Sequence, residues 1–270
     1  MCAERREFTV MAANTTSGPK QRYEGPGIRI FQALKPDICA IQEFNYDGEI
    51  DDFIKLAFGE DYKYFRESSA GNFSIPNGII YHKDFALVDK GSWGSPEIAN
   101  RGLTWARFKY PDSERHLFVL SLHLSTKGGK QRAEARHVVR KINAYFKVNH
   151  GKDIQDDLVI AGDFNTKGRR PPVLKHFTGS GGASDRQIPK DHQKNPNTNA
   201  SRRRRYDYVL VNASLEARQL PLKVGDSTFA EGLVFDSRVY RPLEEVKPVE
   251  QSDSNAQNMQ HMAVIKRFSL

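Results

Sequence analysis

Short apolar runs recur along the whole chain, and each stops at a polar or turn-forming cluster. Phe8 to Ala12 alternates and gives way to Ala13-Asn14-Thr15-Thr16-Ser17-Gly18-Pro19. Ile38 to Ile41 is continuously apolar and leads into Gln42-Glu43-Phe44. Gly78 to Tyr81, Leu117 to Leu124 and Leu158 to Ala161 are further apolar runs, Thr104 to Tyr110 and Tyr206 to Val211 alternate, and Met262 to Phe268 comes last. Alternation marks strands with one buried face, and short continuous runs suit strands covered on both faces.

Helical spacing is clearest from Lys130 to Val148, where Ala135, Val138, Val139, Ile142, Tyr145 and Phe146 recur at three and four and leave Lys and Arg outside. Shorter helices are predicted over Gly27 to Leu34, stopped near Pro36, over Glu49 to Phe58, and near Pro172 to Phe177. Strands outnumber helices and the two strand types mix. That pattern favours sheets packed face to face with helices outside, within a single domain spanning 1–270. Segment 166–205, rich in Gly, Pro, Ser, Asn and Arg, reads as a long basic loop inserted in that domain, and residues 241–258 as a second polar stretch.

Composition narrows the classes. With 38% apolar and 10% aromatic residues in 270, the chain can build a substantial core, which argues against general disorder. Its apolar runs are too short to cross a bilayer, so a soluble protein is expected. Met1 to Glu7 lacks the apolar core of a secretory signal, which leaves the compartment open between secreted and cytoplasmic. Two cysteines, Cys2 and Cys39, exclude a disulfide framework and a cysteine zinc site. The net charge is +8, and it is concentrated: between Thr166 and Tyr206 eleven Lys and Arg face only Asp185 and Asp191. A local cationic surface points to a polyanionic partner.

Candidate polar residues stand at strand ends. Asp163 and Asn165, in Gly162-Asp163-Phe164-Asn165, follow Val159-Ile160-Ala161. Side chains two apart on a strand share a direction, so a carboxylate and an amide can aim at one point. Asn14 and Glu43 follow the first two runs, His123 lies in Ser121-Leu122-His123-Leu124-Ser125, Asp207 opens Tyr206 to Val211, and His261 precedes the last run. Singly each has a plain explanation as a turn, surface or core residue. Together they supply two carboxylates with amides and imidazoles, supported by a third carboxylate, at what the pattern allows to be one rim. Such a set suits phosphodiester hydrolysis, which needs charge neutralised on phosphate, an aligned water and a protonated leaving oxygen.

The order of these motifs resembles that of the endonuclease/exonuclease/phosphatase superfamily, the DNase I-like group, from Thr9 to the end of the chain. The resemblance implies an α/β fold, a four-layer α/β sandwich with two central mixed sheets. It implies Mg²⁺ or Mn²⁺, with Ca²⁺ as a third option, held mainly by Glu43 with Asn14 nearby. Asn14 and Asn165 would contact metal or phosphate, and Asp163 would orient or activate water. His261, supported by Asp207, would contact phosphate or act as base. His123 would stabilise phosphate or act as acid, and Arg101 occupies a position where nuclease-like members place a phosphate-binding arginine. One departure stands out: Gln260 precedes His261 where the family usually has Asp. It leaves a single principal metal, a substitute carboxylate such as Asp253 or Glu231, or weakened activity, the first ranking highest.

The leading expectation is therefore a metal-dependent nuclease acting on DNA, with RNA as a second candidate substrate, with little sequence preference and with endo- or exonucleolytic cleavage left open. Arg169, Arg170, Arg203 and Arg205 would join Arg101, Asn14 and Asn165 on substrate phosphates. No obligate protein partner is inferred, and a monomer is expected. The alternatives are a phosphoesterase on lipid headgroups or inositol phosphates, with Gly232-Leu233-Val234-Phe235 as the only apolar docking candidate, and a nucleic-acid-binding protein on an inactive nuclease scaffold.

Overall fold

The computed structural model describes residues 7–16, 23–68, 74–111, 113–150, 156–168 and 171–270. The first half runs β1 (Glu7–Asn14), α1 (Glu24–Leu34), β2 (Ile38–Gln42), α2 (Ile50–Ala57), β3 (Tyr62–Arg66), β4 (Gly78–His82), β5 (Ala86–Gly94), β6 (Gly102–Lys109) and β7 (His116–His123). Then come α3 (Gly128–His150), β8 (Asp157–Asp163), α4 (Leu174–Thr178), β9 (Ala183–Ser184), β10 (Asp207–Asn212), α5 (Ala213–Glu216) and β11 (Gln219–Leu220). The chain closes with β12 (Leu222–Val224), β13 (Ser227–Phe229), β14 (Leu233–Phe235), a 3₁₀ turn at Leu243–Val246, and β15 (Ala263–Ser269).

Two mixed sheets result. One has the order β11-β15-β1-β2-β4-β3, with β14 also paired to β15, and the other β5-β6-β7-β8-β10-β9. Phe8, Val10, Ala12, Ile38 and Ala40 of the first pack against Leu117, Val119, Val159, Ala161 and Val209 of the second, forming the inner core. Outside the first sheet, Phe31, Phe53 and Phe58 from and beside α1 and α2 cover Met11, Cys39 and Ile41. Outside the second, α3 lays Ala135, Val138, Ile142 and Phe146 over Phe118, Leu120, Leu158 and Ile160. This is the expected four-layer sandwich.

The hydrophobic pattern follows from this layering. β2 and β8 are buried along their whole length, which is why they read as continuous apolar runs. β3 and β5 went unmarked because they are edge strands: β5, Ala-Leu-Val-Asp-Lys-Gly-Ser-Trp-Gly, is largely exposed and polar. Leu233, Val234 and Phe235, the expected apolar docking segment, are buried as β14 against β15. That overturns their reading as an exposed hairpin.

Topology also sets where chemistry can gather. β1 and β2 are parallel and joined through α1; β7 and β8 are parallel and joined through α3. Each sheet thus carries one strand–helix–strand unit, and the C-terminal ends of all four strands meet at one rim, as the contacts below show. β10 runs antiparallel to β8, so its first residue, Asp207, is registered with the last, Asp163. The final strand runs antiparallel to β1, which brings its leading edge, with His261, to the same rim. On the inner face, two residues below Asn14, Gln42, His123 and Asp163, lie Ala12, Ala40, Ser121 and Ala161, all fully buried and all small.

Candidate active site

Asp163 is the hub of the rim. Asn14 Nδ2 lies 3.1 Å from Asp163 Oδ2 and 3.3 Å from Glu43 Oε1, so one amide joins carboxylates carried by different sheets. His123 Nε2 is 3.2 Å and His261 Nε2 3.7 Å from Asp163 Oδ2. The backbone N–H of Asn165 donates to Asp163 Oδ1 at 2.7 Å, and its amide reaches Asp163 Oδ2 at 3.2 Å and Leu124 O at 2.9 Å. Asn14, Glu43, His123, Asp163, Asn165, Asp207 and His261 thus converge on one connected cluster.

Glu43 reaches it through a break in strand geometry. Ile38 and Ala40 face the inner core while Cys39 and Ile41 face outward, so regular alternation would turn Glu43 outward. Its φ of 54° falls in the left-handed region, and its carboxylate instead comes inward to Asn14 and to His123 Nδ1, 3.9 Å away. Asn165 also has a positive φ, 48°. Non-glycine residues held there cost about 1–3 kcal/mol each and gather where function demands them.

Beneath Glu43, Gln42 takes the inner position and ties the sheets together. Its Nε2 donates to Ser121 Oγ at 2.9 Å, and Ser121 Oγ donates to Ile41 O at 3.0 Å. Gln131 of α3, buried, donates to Phe164 O and Asn165 O and fixes the turn after Asp163.

His261 Nδ1 sits 3.0–3.1 Å from both oxygens of Asp207, which also accepts from Thr198 Oγ1 at 2.6 Å. Burial opposes charge on His261, but Asp207 and Asp163 together raise its pKa to about 9. Burial, then Arg101 and His261, push His123 well below the ordinary imidazole range, so it stays neutral. Burial also lifts Asp163 far above the usual carboxylate range, against the pull of His261. The two imidazoles are therefore biased in opposite senses, His261 toward its charged form and His123 toward its neutral one.

Sequence reasoning missed Thr198, since nothing in Asn197-Thr198-Asn199 marks it. Its hydroxyl also accepts from the N–H groups of Tyr206 and Asp207, its N–H donates to Arg204 O, and its carbonyl accepts from Met262 N, so it pins Asp207 to the strand end bearing His261. Thr198→Val is expected to lower kcat about tenfold with little change in KM, as seen in steady-state kinetics, because the Asp207–His261 pair loses its alignment.

The arginines divide. Arg101 donates from Nε to His123 O at 2.7 Å and from Nη2 to Leu124 O at 3.2 Å, so it braces the end of β7 beside the cluster. Arg205 is paired through both terminal nitrogens to Asp185 and lies over the Tyr208 ring, which engages it internally rather than with substrate phosphate. Arg202 is held by Asp191 and Asp236. Arg203 and Arg204 are exposed. Arg169 and Arg170 lie outside the described residues. Much of the loop's positive charge is thus neutralised within the fold.

Neither suggested substitute for the missing aspartate reaches the site. Asp253 is buried against Arg29, and Glu231 pairs with Lys190 at 2.7 Å; Gln260 is exposed and joins the local structure through its backbone. The donor set nevertheless fits a hard cation. Glu43 leaves Oε2 without a protein partner among the described residues, and the buried Nδ1 of His123 beside it is likewise unpartnered. Asp163, Asp207 and His261 present ligand-type atoms within 4.8 Å of one another. Asn14 accepts the Thr16 N–H at 2.8 Å through its oxygen and turns its amide nitrogen to the two carboxylates. Oxygen-rich sites with excess buried negative charge suit Mg²⁺ or Mn²⁺.

Two central sheets, a polar rim and this order of motifs define a phosphoesterase-type site. The chain belongs to the endonuclease/exonuclease/phosphatase family, whose model matches residues 28–222; its members hydrolyse phosphodiesters or phosphate esters. The human Nocturnin catalytic domain, solved with bound sulfate, is similar over 99% of this chain and 96% of that one, with a TM-score of 0.67 and 16% identity. A Bacteroides thetaiotaomicron protein of the same family is similar over 98% of each chain, with a TM-score of 0.64 and 16% identity. D. rerio TDP2, solved with a single-strand DNA product, matches over 98% of this chain and 99% of that one, with a TM-score of 0.62 and 14% identity. At such identities the likeness is one of fold. No curated protein matches the sequence. No helix among the described residues is long and apolar enough to cross a membrane.

Proposed function

We propose that this protein is a divalent-metal-dependent phosphodiesterase acting on nucleic acid, DNA above RNA, with little sequence preference. The observation that carries the reading is the convergence of Glu43 from one sheet and Asp163 from the other through Asn14. Glu43 would hold one Mg²⁺ or Mn²⁺, which when bound neutralises charge on the phosphate. A single principal ion accords with Gln260, since among the described residues no further carboxylate takes the place of the family's aspartate.

The remaining chemistry is assigned to the protein's own groups. Asp163, its proton affinity raised by burial, takes the proton from the attacking water. Asn165 holds that carboxylate in place through its backbone and side-chain N–H groups. His261 faces the phosphate as a cation and donates to a non-bridging oxygen, with Asp207 fixing Nδ1–H. Neutral His123, its Nε2 3.2 Å from Asp163 Oδ2, would steady the phosphate by a hydrogen bond, and the leaving oxygen takes its proton from solvent water. The exposed Arg203 and Arg204 bring nucleic acid to the rim by charge rather than by reading bases.

Supercoiled plasmid, single-stranded RNA, sphingomyelin and inositol phosphates, each with Mg²⁺, Mn²⁺, Ca²⁺ or EDTA, form the test. The expected result is plasmid nicking with Mg²⁺ or Mn²⁺ that EDTA stops and His261→Ala slows by about 10²–10⁴. Cleavage that survives both EDTA and the substitution, or turnover confined to the lipid and inositol substrates, would overturn the reading.

A further inference from the structure

We propose that a cleft on the outer face of β8 and β10, behind the reaction centre, is a subsite for the base of the nucleotide flanking the scissile phosphate; this rests on the nuclease reading above. The cleft measures about 480 Å³, within the range of small-molecule sites. Leu174, Ile188 and Pro196 form its apolar walls, the buried Tyr208 lies at its floor beneath Arg205, and Arg203 and Arg204 stand at it exposed.

Three observations favour a nucleotide. The first is position. Tyr208 follows Asp207 directly, and strand alternation sends it to the outer face while Asp207 faces the site. Its hydroxyl lies 2.8 Å from Thr166 Oγ1, next in the chain after Asn165. Gly168, on the cleft wall, is three residues past Asn165, at most about 10 Å of extended chain. A strand whose phosphate sits at Asp163 can therefore fold its next base over the end of β8 into the cleft.

The second is rigidity. Arg205 lies 4.0 Å over the Tyr208 ring and is fixed by two hydrogen bonds to Asp185, at 2.7 and 2.8 Å. The outer face of the Arg205 guanidinium, locked on a buried ring beside an apolar wall, is a plane on which a nucleobase can stack. The third is charge. Both oxygens of Asp185 are taken by Arg205, so the described lining residues present cations without a free carboxylate. A flat apolar body with an attached anion matches it; an acyl chain would leave the arginines without a partner.

The test is binding of a fluorescein-labelled four-residue thymidylate DNA, and of the same backbone with abasic residues, by polarisation in EDTA on an Asp163→Asn background. The base-bearing strand should bind about tenfold tighter. Ile188→Trp, which fills the cleft, should erase that preference and leave abasic binding intact. Arg204→Glu, at an exposed position, should weaken both strands and reduce the dependence of log K on log salt by about one. Equal affinity for the two strands, or a preference that survives Ile188→Trp in a folded variant, would overturn the subsite. Absence of metal-dependent hydrolysis of either strand by the unmodified protein would instead sink the nuclease reading on which it rests.

Discussion

Asp163→Asn is expected to lower metal-dependent hydrolysis by about 10⁴ and at the same time raise the melting temperature of the metal-free protein above neutral pH. The first effect follows from position: Asn14, His123, Asn165 and His261 all meet this carboxylate. The second follows from the sign of its pKa shift. A carboxyl whose pKa is higher folded than unfolded contributes stability that is complete below its unfolded value and disappears as pH rises through its folded value. Asp163 is shifted upward, mainly by burial, so its ionised form weighs against folding at neutral pH and above. His261 is shifted the same way, to about 9, so its contribution also declines as pH climbs from near 6.5 through about 9. Thermal melts in EDTA at pH 6 and pH 9 should show the unmodified protein losing stability at the higher pH and Asp163→Asn losing less. Bound Mg²⁺ should narrow the gap, since the cation favours the ionised carboxylate. Equal melting temperatures at both pH values, or a substituted enzyme of near-normal rate, would remove Asp163 from the centre of the site.

Gly162→Ala should have the largest effect on the fold itself. Gly162 has a φ of 136°, and a Cβ there would come within 2.1 Å of Leu122 O and 2.9 Å of Gln42 Nε2. Backbone on one side and a buried cross-sheet bridge on the other leave nowhere to yield. A loss of about 3 kcal/mol or more is expected, read as a lowered midpoint in urea, or as failure to fold. A midpoint shift below about 0.5 kcal/mol would mean that the turn into Asp163 relaxes without cost.

The sandwich was legible because its central strands are covered on both faces and its longest helix on one, leaving unbroken or periodic hydrophobic runs. The edge strands β3 and β5 were not: with one edge and much of their surface in water, they keep Lys, Asp, Gly and Ser where an inner strand would hold Val or Ile. The residues that converge at the rim could be named from their positions at strand ends, but their arrangement could not. Nothing in Gln42-Glu43 shows that the chain turns left-handed at Glu43 and swings it to the inner face. Thr198 was invisible because a hydroxyl in a polar loop carries no pattern, and its importance lies in contacts with residues far along the chain. The charge block misled in part: a count of arginines cannot show that Arg202 and Arg205 are neutralised by Asp191, Asp236 and Asp185.

The row of Ala12, Ala40, Ser121 and Ala161 beneath the polar rim carries a further implication. The geometry of the rim is set by the gap between two independently hydrogen-bonded slabs, and that row is the spacer. A single added methyl group there would widen the jaws by a fraction of an ångström without touching substrate, metal or any reacting atom. Turnover should therefore respond to deep, chemically inert changes as sharply as to changes in the reacting groups, and variants chosen for tighter interior packing would tend to emerge as sturdy but sluggish enzymes.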